Sequence, residues 1–182
     1  MRWRVPIQAG VGTLLALTAR PALGLTPPRL WAGLRLGLAV AAAVAVAVAV
    51  STAVPVVRLA MAARDVPGPA AGWLTLRIPL GTVWAEEAAF RAALATAAAD
   101  GFGPVPARLL QATAFGLSHI ADARTTGAPV VPTVLVTGVA GWLFGWLAER
   151  SGSLAAPLLA HLAINEAGAV AVLAVQRSPV GG

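Results

Sequence analysis

Cysteine and lysine are both absent from this chain of 182 residues, and acidic residues number only seven. Without cysteine there is no disulfide, no thiolate metal ligand and no cysteine nucleophile. Charged residues make up 11%, against roughly 25% in an ordinary soluble domain. What replaces them is apolar: hydrophobic residues reach 58% and the mean hydropathy is +0.81. All thirteen basic residues are therefore arginine, and the net charge is +6. The arginines are scattered singly between apolar runs, which excludes a nucleic-acid face and suits charges that orient membrane spans. Arginine without lysine, beside abundant alanine, points to a G+C-rich bacterial genome.

A membrane span needs about 20 mostly apolar residues. Six stretches qualify in outline: Ile7–Leu25, Leu36–Val57, Ile78–Ala98, Val105–Ala121, Val130–Ala148 and Leu154–Val175. The Ala/Val alternation in the second would also suit a strand, but its length and its flanking Arg35 and Arg58 favour a helix. The first is interrupted by Arg20-Pro21. Arg2 and Arg4 ahead of it resemble the start of a signal peptide, yet no small-residue cleavage site follows, so a retained anchor or broken first helix is expected. Turn-rich connectors such as Arg64–Pro69, Asp100–Pro104 and Arg124–Pro129 separate the later runs. Seven arginines against five on the two sides favour both termini in the cytoplasm. The expected fold is all-α, a polytopic transmembrane helical bundle of about six spans.

Three of these runs carry polar groups that a lipid-facing helix would not choose. Ionisable groups inside spans are rare and mark function by default. The first set is Glu86, Glu87 and Arg91 in Glu86-Glu87-Ala88-Ala89-Phe90-Arg91. Glu87 and Arg91 stand one turn apart, acid before base, which favours an ion pair and leaves Glu86 without a local partner. The second is His119, closing Phe115-Gly116-Leu117-Ser118-His119. The third is His161 and Asn165, four apart and so on one helix face. Glu86 and His161 lie at similar depths, roughly 12 Å into their spans.

A carboxylate, two imidazoles and an amide can make a hydrolytic site. The carboxylate takes a proton from water, imidazole relays a proton, and the amide donates to a developing oxyanion. Alternatively Glu86, His119 and His161 supply three ligands for a catalytic zinc with an open water position. Each feature alone also has a structural reading: an ion pair, an interfacial histidine, an interhelical hydrogen bond. Glu86 alone could line an ion path. On the residues alone, hydrolysis stands level with transport or a structural role.

Glu-Glu-x-x-x-Arg, then Phe-x-x-x-His, then His-x-x-x-Asn on successive apolar runs resembles the CAAX protease and bacteriocin-processing (CPBP) family of intramembrane proteases, which includes Abi-type proteins. The resemblance covers about 77–175, with Glu149–Leu154 also typical, and leaves 1–76 as weakly matched N-terminal helices and 176–182 as a tail. It implies that Glu86 activates the attacking water, with His119 assisting. It implies that His161 and Asn165 stabilise the oxyanion or position the carbonyl, and that Glu87 and Arg91 support the helix. The family label is metalloprotease, so zinc on Glu86, His119 and His161 is carried beside a metal-free glutamate mechanism. One departure is Ala92, where the family commonly has glycine. The implied protein is an endopeptidase of a bacterial cell membrane, acting on a membrane-associated peptide or protein, with the lipid bilayer as partner and no nucleic acid. The rivals are a non-catalytic immunity or scaffold protein of the same fold and a small proton-coupled transporter.

Overall fold

A computed structural model describes residues 3–178; of the C-terminal tail, residues 179–182 lie outside the described residues. Those described form helices and connections, with no strand among them. Helix α1 is Arg4–Ala19, α2 Arg29–Ser51 and α3 Pro55–Ala62. Helix α4 runs unbroken over residues 70–102. It is followed by α5 (Pro104–Ser118), α6 (Ile120–Thr126), α7 (Val130–Ser151) and α8 (Ala155–Arg177). Among the described residues, three helices are long and apolar enough to cross a membrane: α2, α7 and α8. Leucines and valines such as Leu14, Leu38, Val46, Val136 and Val139 stand exposed along the bundle, as a lipid-facing surface requires.

Two expected boundaries move, each for a local reason. The span expected at Leu36–Val57 is a helix over Arg29–Ser51, because Pro55 forces Val54 into extended backbone (φ −79°, ψ 120°) and starts α3 instead. The run Val105–Ala121 breaks at Ser118, and His119 becomes the joint between α5 and α6. The expected interruption at Arg20-Pro21 is present: Arg20 takes left-handed backbone (φ 51°) and ends α1.

Helix α4 is unusual in its winding. It is π-helical over Trp73–Trp84 and again over Glu87–Leu94, and α-helical at Ala95–Phe102. Pro79 lies inside the first π segment. Proline lacks the N–H an α-helix needs and crowds the preceding turn, and a widened turn is one way to absorb that; such turns concentrate at functional sites. Widening also lowers the rotation per residue. Adjacent side chains can then address the same neighbouring helix.

The bundle closes through small residues. Helix α2 packs most extensively on α8, α5 on α7, and α1 along α4. Gly33 and Gly37, one turn apart on α2, meet the α7–α8 turn and the start of α8. A methyl group on Gly37 would stand 3.0 Å from Ala156 Cα, and one on Gly33 would stand 2.6 Å from Ser153 Oγ. This spacing of small residues lets backbones approach in a membrane. Gly37→Leu is expected to destabilise the protein by about 1–3 kcal/mol through overpacking, read as a lowered unfolding temperature in detergent. On the other side, Trp84 Nε1 donates to Thr13 Oγ1 at 2.8 Å. A methyl on Gly12 would reach within 2.6 Å of the Ala85 carbonyl oxygen. Helix α1 thus presses directly on the turn that carries Glu86.

Candidate active site

The three polar sets of the sequence meet inside the bundle. Glu87 is fully buried, and its Oε1 accepts a 2.8 Å hydrogen bond from His161 Nδ1 on α8. The same oxygen lies 3.2 Å from Arg91 Nη1, with both side chains excluded from solvent. Glu86 Oε2 stands 3.7 Å from His161 Nε2, beyond direct hydrogen-bond length. The order is therefore Arg91, Glu87, His161, Glu86, a single line of charge running from α4 to α8 and back. The Phe115 ring stands between the two histidines, its centroid 4.8 Å from that of His119 and 6.0 Å from that of His161. Glu86 is the more open acid, its side chain 28% exposed where that of Glu87 is 0%.

The hydrogen bonds engage one nitrogen of each imidazole and leave the other turned into the site. A carboxylate can only accept, so His161 Nδ1 carries the proton it gives to Glu87, and Nε2 faces Glu86. His119 Nδ1 donates to the Phe115 carbonyl oxygen at 2.8 Å, again leaving Nε2 free. Asn165 gives one amide hydrogen to the His161 carbonyl oxygen at 3.1 Å. Its second amide hydrogen is available to a ligand.

Aromatic rings hold this line in place. The His161 ring stacks on Phe144 with centroids 4.9 Å apart. The His119 ring meets the edge of Phe115 at 4.8 Å. The Arg91 guanidinium carbon sits 4.1 Å from the Phe115 centroid and 5.0 Å from that of Phe144. Its approach to Glu87 is not aligned as a hydrogen bond, and its three nitrogens are buried without hydrogen-bond partners. Ring faces therefore supply much of what stabilises a buried guanidinium here. Ala92, where glycine was expected, is buried beside Ala16 of α1 and Leu154; its methyl group is part of the α1–α4 contact.

Sequence reasoning assigned Glu87 to Arg91 alone and missed that it also orients His161. It missed Phe144 as the platform for His161. It also passed over Glu166, an acid near the midpoint of α8 that makes no hydrogen bond or ion pair among the described residues. Its position within the last apolar run was a readable signal. Its contacts give it no chemical role.

Zinc requires three protein ligands around one point. Among the described residues, no group of three His, Asp or Glu side chains is arranged to hold a metal ion.

The family model for Type II CAAX prenyl endopeptidase Rce1-like proteins matches residues 68–167, which is more than half of the chain. The chain belongs to this family. The match contains all three polar sets, from Glu86 to Asn165, and begins close to the start of α4. Comparisons with curated proteins and with solved structures return no match. Family membership and the three apolar helices together support a CAAX-type intramembrane protease.

Proposed function

We propose that the protein is an intramembrane endopeptidase that hydrolyses a peptide bond by means of a water activated by Glu86, without a metal. The observation that carries this reading is the line Glu87–His161–Glu86, in which a fully buried acid orients an imidazole toward a second, more accessible acid. Water gives a proton to Glu86 as its oxygen attacks the substrate carbonyl carbon. His161 Nε2 takes that proton from Glu86, and Glu87 stabilises the imidazolium that forms, the role an acid plays behind a catalytic histidine. The new N–H donates to the tetrahedral oxyanion, with the spare amide hydrogen of Asn165 beside it. His119 Nε2 accepts the second hydrogen of the water and aligns it. The proton returns through Glu86 to the leaving nitrogen as the C–N bond breaks.

Segments α1, α4 and α5 complete the bundle as further membrane-embedded elements around the three long helices. The substrate is a membrane-associated peptide or protein tail. The placement of Glu86 and His161 within apolar helices of the bundle supports this. The setting is a bacterial cell membrane, as the arginine-only composition suggests.

His119→Ala is expected to lower turnover by about 10²–10⁴-fold, the range for loss of a positioned acid–base group, while protein still accumulates in membranes. The assay is cleavage of a membrane-anchored peptide library by purified protein in detergent. Equal turnover in the variant would remove His119 from the mechanism. A cellular activity that survives joint loss of Glu86, His119 and His161 would instead assign the fold to a scaffold or immunity role. Substrate flux driven by a pH gradient, without cleavage, would assign it to transport.

A further inference from the structure

A cavity of about 260 Å³ lies at one end of the bundle and is lined by Arg29, Arg91, Arg108 and Glu149, with the Gly152–Leu154 turn and Pro21–Leu23 as walls. Glu86, His119 and His161 do not line it, so it is separate from the proposed hydrolytic site. Arg29 and Arg108 stand with one carboxylate, Glu149, while the Arg91 side chain is excluded from solvent. Arg108 Nη1 is paired with Glu149 Oε2 at 2.7 Å, but its Nε is buried without a partner. Arg91 is turned toward Glu87. Arg29 is exposed and forms no ion pair among the described residues. The cavity therefore holds an excess of positive charge, and its missing partner is an anion.

Its depth says which anion. Helix α2 begins at Arg29, α7 ends at Ser151 and α8 begins at Ala155. These are the ends of the three helices able to span a membrane, so the cavity lies at the level of the membrane–water interface. Lipid phosphates occupy that level, and basic pockets between helices there suit phospholipid headgroups. The walls are fixed in advance. Leu154 N–H donates to the Leu23 carbonyl oxygen at 2.9 Å. Gly24, at φ +61°, packs so closely on Gly152 that a side chain there would collide with its carbonyl oxygen. A preorganised wall lowers the ordering cost of binding.

We propose that this cavity binds the phosphate of an anionic phospholipid, with Arg29 and Arg108 holding its oxygens. Arg29 supplies the charge that no described protein group neutralises, and Arg108 adds a charge that Glu149 offsets only from one side. Because Arg91 lines the cavity and also pairs with Glu87, a bound headgroup sits directly behind the line that orients His161.

The test uses the full chain in neutral detergent, titrated with phosphatidylglycerol and followed by native mass spectrometry. One lipid should be retained per protein, and Arg29→Gln should weaken retention about fivefold to tenfold, the effect of one interfacial arginine. Arg29 is exposed, so the variant keeps the fold, and an unchanged unfolding temperature in lipid-free detergent checks that it does. Inorganic phosphate should displace the lipid only at far higher concentration. Equal retention by wild type and Arg29→Gln overturns the proposal. So does free phosphate binding as tightly as the lipid, which would assign the cavity to a soluble anion. Displacement by an apolar peptide with a free C-terminus but not by its amide also overturns it, assigning the arginines to a peptide carboxylate.

Discussion

Glu87→Ala is expected to destabilise the protein by about 3–5 kcal/mol, the range for breaking a buried ion pair by removing one partner. The side chain of Arg91 would remain excluded from solvent with no counter-charge, and its guanidinium nitrogens already lack aligned hydrogen bonds. The rings of Phe115 and Phe144 would hold the cation only in part. His161 would lose the acceptor that fixes its Nδ1 proton. The measurement is the unfolding temperature and the folded yield from membranes, compared with those of Glu87→Gln. The amide still accepts from His161 but does not neutralise Arg91, so Glu87→Gln should be intermediate in stability. A variant Glu87→Ala as stable as wild type would contradict the line of charge drawn from Arg91 to Glu86.

Glu86→Gln is the second large effect, and it should fall on activity rather than on folding. Glu86 makes no hydrogen bond to the protein, and its side chain is partly open. An amide of the same shape cannot take a proton from water. Turnover is expected to drop by about 10²–10⁴-fold, as for loss of a general base, with the unfolding temperature unchanged within error. The contrast between the two adjacent acids is the diagnostic feature. One substitution should remove stability and the other only catalysis. If both lower stability equally, Glu86 is a second structural acid and the proposed division of labour fails.

Much of the site was readable one helix at a time. The i, i+4 spacing that pairs Glu87 with Arg91 and the shared face of His161 and Asn165 follow from helical geometry alone. What could not be read was how the helices face one another. Glu87 and His161 are 74 residues apart, and no periodicity within one helix says which neighbour its polar face meets. The π-helical winding of α4 was hidden for a related reason: its i to i−5 bonding leaves the apolar pattern intact, and Pro79 was its only local signal. The shift of α2 toward Arg29 was legible in part, since Pro55 was in view. Hydropathy outweighed the proline there, and the end of the apolar run was placed too late. Gly33 and Gly37 illustrate the opposite case, a four-residue spacing visible in the sequence whose meaning needed α8 alongside it.

The pairing of Glu87 with His161 also changes how the adjacent acids are understood. Glu87 joins two helices through its hydrogen bond to His161, so it does more than prop α4. In the mechanism proposed above, Glu86 depends on that arrangement, because an imidazole held by Nδ1 presents Nε2 to it.

The most direct measurement of the central claim is the appearance of new N-termini, by mass spectrometry, when purified protein treated with a strong chelator is incubated with a membrane-anchored peptide library beside Glu86→Gln. Cleavage by the chelated wild type and its absence with Glu86→Gln is the predicted result. Cleavage that is lost on chelation and restored by zinc, or that persists in Glu86→Gln, would contradict a water activated by Glu86 alone.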